Sequence, residues 1–276
     1  MPNKYFTVEV KPTITASKQT GAFADADVLF DWTAFDIPRG AVRLISITSL
    51  IRGTNGTDQA GGFDFELFFA KSNPDSTAPT TLGDLNDAVD TPGWFNNIIG
   101  RTEIDASASS NDGDLIYMNV MSTVADSIHW KPLVLQGEPD SAAATGYDRL
   151  YVAGISKAAF DFSTEVDIGP SEGVDISGSN GTLSVIDGTD PRLVFAPGDI
   201  IHAQDDIIIG EVASLDANNI TFKFDGSATT SGTGYTVPAS LAAWRIQNGA
   251  DAAGDLAEND ELYNINPITL IFSFEV

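Results

Sequence analysis

The 276-residue chain contains no cysteine and only two histidines, His129 and His202. The first absence excludes a disulfide framework, a thiolate-held zinc and a cysteine nucleophile. Positive charge is scarce as well: 14 Lys and Arg stand against 39 Asp and Glu, for a formal net charge of −25. A field of that sign repels phosphate backbones and anionic membrane surfaces, so neither nucleic acid nor membrane is expected as a partner. It suits solubility in salt, where screening weakens self-repulsion. No apolar run is long enough to span a bilayer, and "MPNKYFTVEVKP" lacks the apolar core of a signal peptide. The expectation is a soluble protein made in a cytoplasm. There is no GxSxG, GxxxxGK[ST], HExxH or dinucleotide fingerprint. No internal repeat is evident. No enzyme class therefore has a motif here, and no cofactor is expected.

What is present is a β grammar. Hydrophobic residues make up 42% of the chain, enough for a real core. Short runs of β-branched and aromatic residues alternate with Gly, Pro, Asn and Asp clusters. "KYFTVEV" (4–10) alternates Phe6, Val8 and Val10 with Tyr5, Thr7 and Glu9. "AVRLISITSLIRG" (41–53) offers Val42, Leu44, Ile45 and Ile47 to a core. "GGFDFELFFAKS" (61–72) sets Phe63, Phe65, Leu67 and Phe69 on one face and Asp64 and Glu66 on the other. Further strands are expected at 27–35, 114–122, 129–137, 148–162 and 267–276. One helix is expected, within 80–100, where Leu82, Leu85 and Val89 have helical spacing, Thr80 or Thr81 can cap, and Pro92-Gly93 stops.

Glycine, serine and aspartate accumulate at 163–185, and a second loop-like stretch follows at 226–240. The reading is all-β: an antiparallel, jelly-roll-like β-sandwich formed by 1–167 plus 239–276, with one short helix and a small β-barrel unit inserted at 168–238.

The stretch most suggestive of chemistry is "FAPGDIIHAQDDIIIGEVASLDANNITFKF" (195–224), where His202 lies near Asp199, Asp205 and Asp206. A zinc site wants three or four converging ligands, and His129 is far away in sequence. The architectural reading prevails: a Pro-Gly turn, a β-branched run with a bulge or close approach at Gly210, a "DANN" turn, and "ITFKF" alternating inward at Ile220, Phe222 and Phe224. The carboxylates then satisfy backbone N–H groups at turns. Acidic loops at 109–115, 187–192 and 248–261 carry oxygen ligands but not EF-hand spacing, and read as solvated turns. Trp94 and Trp130 are the candidates for sugar stacking, with core packing the competing role.

The residues Gly198, Asp199, Ile200, Ile201, Gly210, Val212, Asp216, Ile220, Thr221 and Phe222 spell a phrase that resembles virion structural proteins of tailed phages, especially phages of marine cyanobacteria. The opening fifth of the chain is similar to uncharacterised virion proteins of the same group. The resemblance implies a non-enzymatic, capsid-associated part: a decoration, cement or minor capsid protein located in the virion. Its implied partners are the major capsid protein and neighbouring copies of itself. A tail, neck or fibre-base protein is the alternative within the particle, and a carbohydrate-binding module is the alternative outside it. Two hydrophobic strands, Pro2 to Val10 and Ile268 to Val276, are the expected contact elements, through Phe6, Val8, Val10, Ile271, Phe272 and Phe274.

Overall fold

The computed structural model describes residues 4–19, 21–52, 63–73, 77–105, 109–112, 115–121, 133–139, 147–160, 162, 166–167, 175–177, 180–184, 190–192, 194–203, 208–223, 229–230, 233–234 and 261–276. One sheet contains β1 (Tyr5–Val10), β20 (Ile268–Glu275), β3 (Ala41–Arg52), β7 (Leu115–Met121) and β6 (Ser109–Asp112) in that spatial order. β8 (Leu133–Gln136) also pairs with β3. The second sheet runs β2 (Val28–Pro38), β10 (Tyr147–Ser156), β4 (Phe65–Lys71), β5 (Ile98–Ile104), with β9 (Glu138–Pro139) on β10.

The principal strands of these two sheets, taken in chain order as β1, β2, β3, β4, β5, β7, β10 and β20, are distributed between the sheets in the order of a jelly roll. First, eighth, third and sixth form one sheet; second, seventh, fourth and fifth form the other. All of their pairings are antiparallel.

A third, seven-stranded sheet lies between β10 and β20 in the chain. Its order is β11 (Val166–Asp167), β19 (Glu261–Asn264), β14 (Ile200–Ala203), β15 (Ile208–Leu215), β16 (Asn219–Lys223), β13 (Asn180–Ser184), β12 (Asp175–Ser177). Among the described residues this ladder runs open from end to end, so the small barrel expected here is seen as an antiparallel sheet. Its strands β11 and β19 lie beyond the expected 168–238 limits. A separate ribbon joins β17 (Thr229–Thr230) to β18 (Thr233–Gly234).

The sandwich core follows the period-two pattern. Phe65, Leu67 and Phe69 are fully buried between the sheets, with Phe63 beside them, as their alternation predicts. They meet Phe35, Phe272 and Phe274, with Phe69 edge-on to Phe272 at 5.4 Å between ring centres. Each such side chain contributes about 1.5–3 kcal/mol by leaving water. At one end of the sandwich Phe63 and Phe23 stack on Phe160, with Phe162 edge-on.

Ile45 departs from the pattern. Ser273 pairs with Ser46 and Phe274 with Leu44, so Ile45 is the extra residue of a bulge and is only half-buried. Beyond it the inward set changes from even to odd numbers: Val42 and Leu44 before, Ile47, Ser49 and Ile51 after.

The helix expected within 80–100 is not formed. That segment is a turn-rich loop leading into β5, and the described helix is instead α1 (Ala16–Gln19). Gly83 at φ +139°, Asn86 at φ +53° and Gly93 at φ +85° occupy left-handed backbone that breaks a right-handed helix. Asp31 accepts from the Leu82 N–H, and Asn86 donates to the carbonyls of Lys18 and Gly21. The apolar spacing is nonetheless used. Leu82 is buried, and Leu85, Val89 and Trp94 pack with it over Val28, Phe68, Ala153 and Ile155, outside the second sheet. The loop is a cover, not a helix.

Candidate functional site

The turn Ala196-Pro197-Gly198-Asp199 is dictated by its residues. Proline presets φ at the second position, and Gly198 at φ +90° supplies the left-handed third. The Asp199 N–H closes the turn on the Ala196 carbonyl at 3.0 Å, and the Asp199 Oδ2 accepts from the Ala196 N–H at 2.8 Å. Gly198 and Asp199 then exchange backbone bonds with Val212 of β15, which fixes the turn to the third sheet.

This geometry sends the Asp199 carboxylate out of its own sheet and toward Lys11 and Arg52 at the strand ends of the first sheet. It is 1% exposed. Oδ1 accepts from Lys11 Nζ at 2.9 Å, and Arg52 Nη1, at the end of β3, lies 3.5 Å from Oδ2. Asn264 Nδ2 donates to the same Oδ2 at 2.9 Å and to the Val194 carbonyl at 2.8 Å. Both cations keep partial access to water, at 28% for Lys11 and 20% for Arg52. Lys11 also lies 3.8 Å from Glu9.

The network continues inward. Asn264 is fully buried, and its Oδ1 accepts from the Asn266 N–H. Buried Gln19, on α1, donates to the carbonyls of Ile14 at 2.6 Å and Asn264 at 2.9 Å. The Ile14 N–H bonds the Ile265 carbonyl, the Arg52 N–H bonds that of Pro267, and Asn266 Nδ2 reaches the carbonyls of Lys11 and Pro12. Four chain segments, around 11–19, 52, 194–199 and 264–267, thus meet on one buried polar hub.

Chemically, the hub is a brace. A general base must reach a proton on a bound molecule, and a ligand must point a lone pair into an open site. Asp199 does neither: its oxygens are taken by donors from Lys11, Asn264 and Ala196, with Arg52 alongside. A half-satisfied buried carboxylate would be costly, and this one is satisfied from both units it joins.

The other candidates are dispersed. The backbone of His202 lies opposite Tyr263 and Ile208; its side chain, with Asp205 and Asp206, lies outside the described residues. Gly210 marks the close approach expected of it: a Cβ there would meet the Lys223 carbonyl oxygen at 2.5 Å. Among the described residues no three His, Cys, Asp or Glu side chains gather where they could hold a metal. In the acidic loop at 187–192, Asp190 grips the Arg192 guanidinium with both oxygens, its Nε lying 2.8 and 3.0 Å from them. That bond holds the Asp190 carboxyl below the usual carboxylate range. Asp216 is lowered too, by the N–H of Asn218 and the side chain of Asn219. Residues 109–112 of the acidic stretch at 109–115 are strand β6, and 248–260 of the stretch at 248–261 lie outside the described residues. Trp94 is half-buried, edge-on to Phe68 at 5.1 Å, while its neighbour Phe95 is 60% exposed. Trp130 lies outside the described residues.

Of the six expected contact residues, Val10, Phe272 and Phe274 are buried in the core. Phe6 and Val8 pack against that core, half-buried, as is Ile271 on β20. β20 is bonded on both sides, to β1 and to β3, so its backbone is not open to another chain. β1 differs: among the described residues it pairs with β20 alone.

No protein-family model matches the chain, and no curated protein matches it either. The hub residues Lys11, Arg52, Asn264 and Gln19 had no signal in the sequence. They lie 147 to 188 residues from Asp199 for the two cations, and nothing local announces the meeting.

Proposed function

We propose that the chain is a non-enzymatic virion structural protein, a decoration, cement or minor capsid protein that binds and stabilises a phage head. The observation that carries this reading is the use made of Asp199. The residue in the most chemistry-like stretch of the sequence is spent on bracing a sandwich to an appended sheet. A part that must resist load gains from such a tie, because the buried Asp199 carboxylate of the appended sheet is held by Lys11 and Arg52 of the sandwich. The jelly-roll order supports the reading by analogy, since viral capsid and lectin domains are often built this way, although fold alone does not fix function. An acidic surface opposes random self-association, so that binding depends on local contacts repeated by symmetry.

The test is direct. Purified particles of the virus that encodes the chain are analysed by quantitative mass spectrometry and cryo-EM. Many copies on the head support the decoration reading. A few copies at the tail or neck move the protein to the alternative site in the particle. Absence from the particle refutes both.

The lectin-like alternative has one observation of its own, the exposed Phe95 beside half-buried Trp94. A glycan array tests it: sugar binding that is lost in Phe95→Ala establishes it.

A further inference from the structure

Edge strands invite pairing, and soluble proteins guard them with bulges, prolines, charges or brevity. Among the described residues, three other end strands, β2, β5 and β6, are guarded. β2 has two register breaks against β10 and ends in Pro38. β5 carries an extra residue opposite the Phe69–Ala70 step. β6 is four residues long and reads Ser-Ser-Asn-Asp. β1 has neither bulge nor proline: its six residues pair with β20 without a break, and its one charge is Glu9.

The direction of its hydrogen-bonding groups follows from one bond. The Val276 N–H donates to the Lys4 carbonyl, which makes Lys4–Val276 a bonded pair of the antiparallel ladder. Alternation then turns the N–H and C=O groups of Phe6, Val8 and Val10 toward β20. Those of Tyr5, Thr7 and Glu9 turn toward the open edge. The same three residues carry the exposed side chains of the strand.

We propose that this edge pairs with β1 of a second copy of the chain, antiparallel about a twofold axis through Thr7. In that register Thr7 faces its symmetry mate, and Tyr5 faces Glu9 of the other copy in both directions. All three outward residues are used, in three pairs that exchange about six backbone bonds. The phenol of Tyr5 comes opposite a carboxylate, and no carboxylate opposes another. A register centred on Glu9 would oppose the two Glu9 side chains. On the inner side Phe6 comes opposite Val8 of the other copy, covering two residues that are half-buried at the core's margin. The first sheet becomes continuous through both copies. The interface is isologous, as a twofold requires.

The inference stands on the edge geometry and not on the virion reading. A protein that dimerises but does not coat particles keeps the first and loses the second.

Sedimentation equilibrium of the full chain at about 50 μM, where a micromolar pair is populated, gives the mass. The expected value is about 58 kDa, twice 29.2 kDa. The dimer fraction rises between low salt and about 0.3 M salt, where exposed charges are screened beyond roughly 6 Å. Thr7→Pro removes an N–H that points away from β20, so it abolishes the dimer and leaves the far-UV circular dichroism unchanged. If that variant fails to fold, Thr7→Lys does the same work by placing like charges across the axis. The natural chain has no cysteine, so single thiols report the register. Thr7→Cys cross-links into a covalent dimer under oxidised glutathione, because a bonded pair sets the Cα atoms about 5.5 Å apart, within disulfide reach. Tyr5→Cys does not. A monomer at both salts overturns the proposal, as does a dimer that survives both Thr7 substitutions, or equal cross-linking through Tyr5→Cys. A monomer that binds purified particles only when Thr7 is intact also overturns it, and assigns the edge to the shell instead.

Discussion

Replacing Asp199 by alanine removes the carboxylate on which Lys11 and Arg52 converge, and it strips Asn264 and the Ala196 N–H of an acceptor. Breaking a buried ion pair from one side costs about 3–5 kcal/mol when the stranded charge has no escape. Here both cations retain partial access to water, at 28% and 20%, and can turn outward, which argues for the lower end. Water entering the gap can satisfy the two neutral donors, so they add little to that figure. The expected loss is about 3 kcal/mol, a large part of a typical domain's stability of about 5–15 kcal/mol. For a protein of this size that lowers the thermal midpoint by about 6–12 °C. Thermal and urea unfolding by circular dichroism measure it, and a near-ultraviolet probe shows whether the third sheet loosens before the sandwich. The double variant Asp199→Ala, Lys11→Met should recover part of the loss, because it no longer leaves the lysine unpaired. A change within about 0.5 kcal/mol for Asp199→Ala, the range of an ordinary surface substitution, refutes the bracing account.

Other expectations rest on separate features. Gly154→Ala should cost about 2–3 kcal/mol in a urea titration, since its Cβ would meet the Phe30 ring at 2.4 Å and both strands would have to shift; an unchanged midpoint would show that the β2–β10 step is looser than described. Leu82→Ala should cost about 2–4 kcal/mol and raise the accessibility of Trp94 to a fluorescence quencher, because Leu82 is the buried centre of the loop that covers the second sheet. For Asp190, whose carboxyl is held low by Arg192, the sign is that of a depressed acid. Its contribution is present above the unfolded pKa of about 3.9 and is lost as pH falls through the lower folded value. Carboxyl NMR should show the lowered midpoint, and Arg192→Ala should return it to the ordinary range.

The strands were legible wherever alternation met a two-sided environment. Phe63 to Phe69 is the plainest case, because each second residue is buried between the sheets. In "AVRLISITSL" the sequence offers Val42, Leu44, Ile45 and Ile47 as one face, which strict alternation forbids. The bulge at Ile45 resolves the conflict, and no local residue type announces it. The 80–100 segment misled through a real pattern. Leu82, Leu85 and Val89 do share a surface, but the backbone reaches it through left-handed turns at Gly83 and Asn86. Weighing those two residues and the aspartates against the apolar spacing would have favoured a loop. At Asp199 the turn role was readable, since "APGD" carries its own chemistry. The partners were not, because Lys11 and Arg52 arrive by tertiary folding alone.

The position of β20 between β1 and β3 has a consequence for synthesis. Between Arg52 and Ile268 the ribosome must pass 215 residues before the edge of β3 can receive its neighbour. At about 5–20 residues per second that interval is roughly 10–40 s, during which β1 also has no mate. Pairings of such sequence separation are slow to close, because loop entropy is lost before the contacts compensate. β1 therefore waits unpaired on a nascent chain, and β3, which can already pair with β7 and β8, waits with one edge open. Their protection in that interval must come from the strong negative charge of the chain or from a chaperone that recognises exposed strand edges.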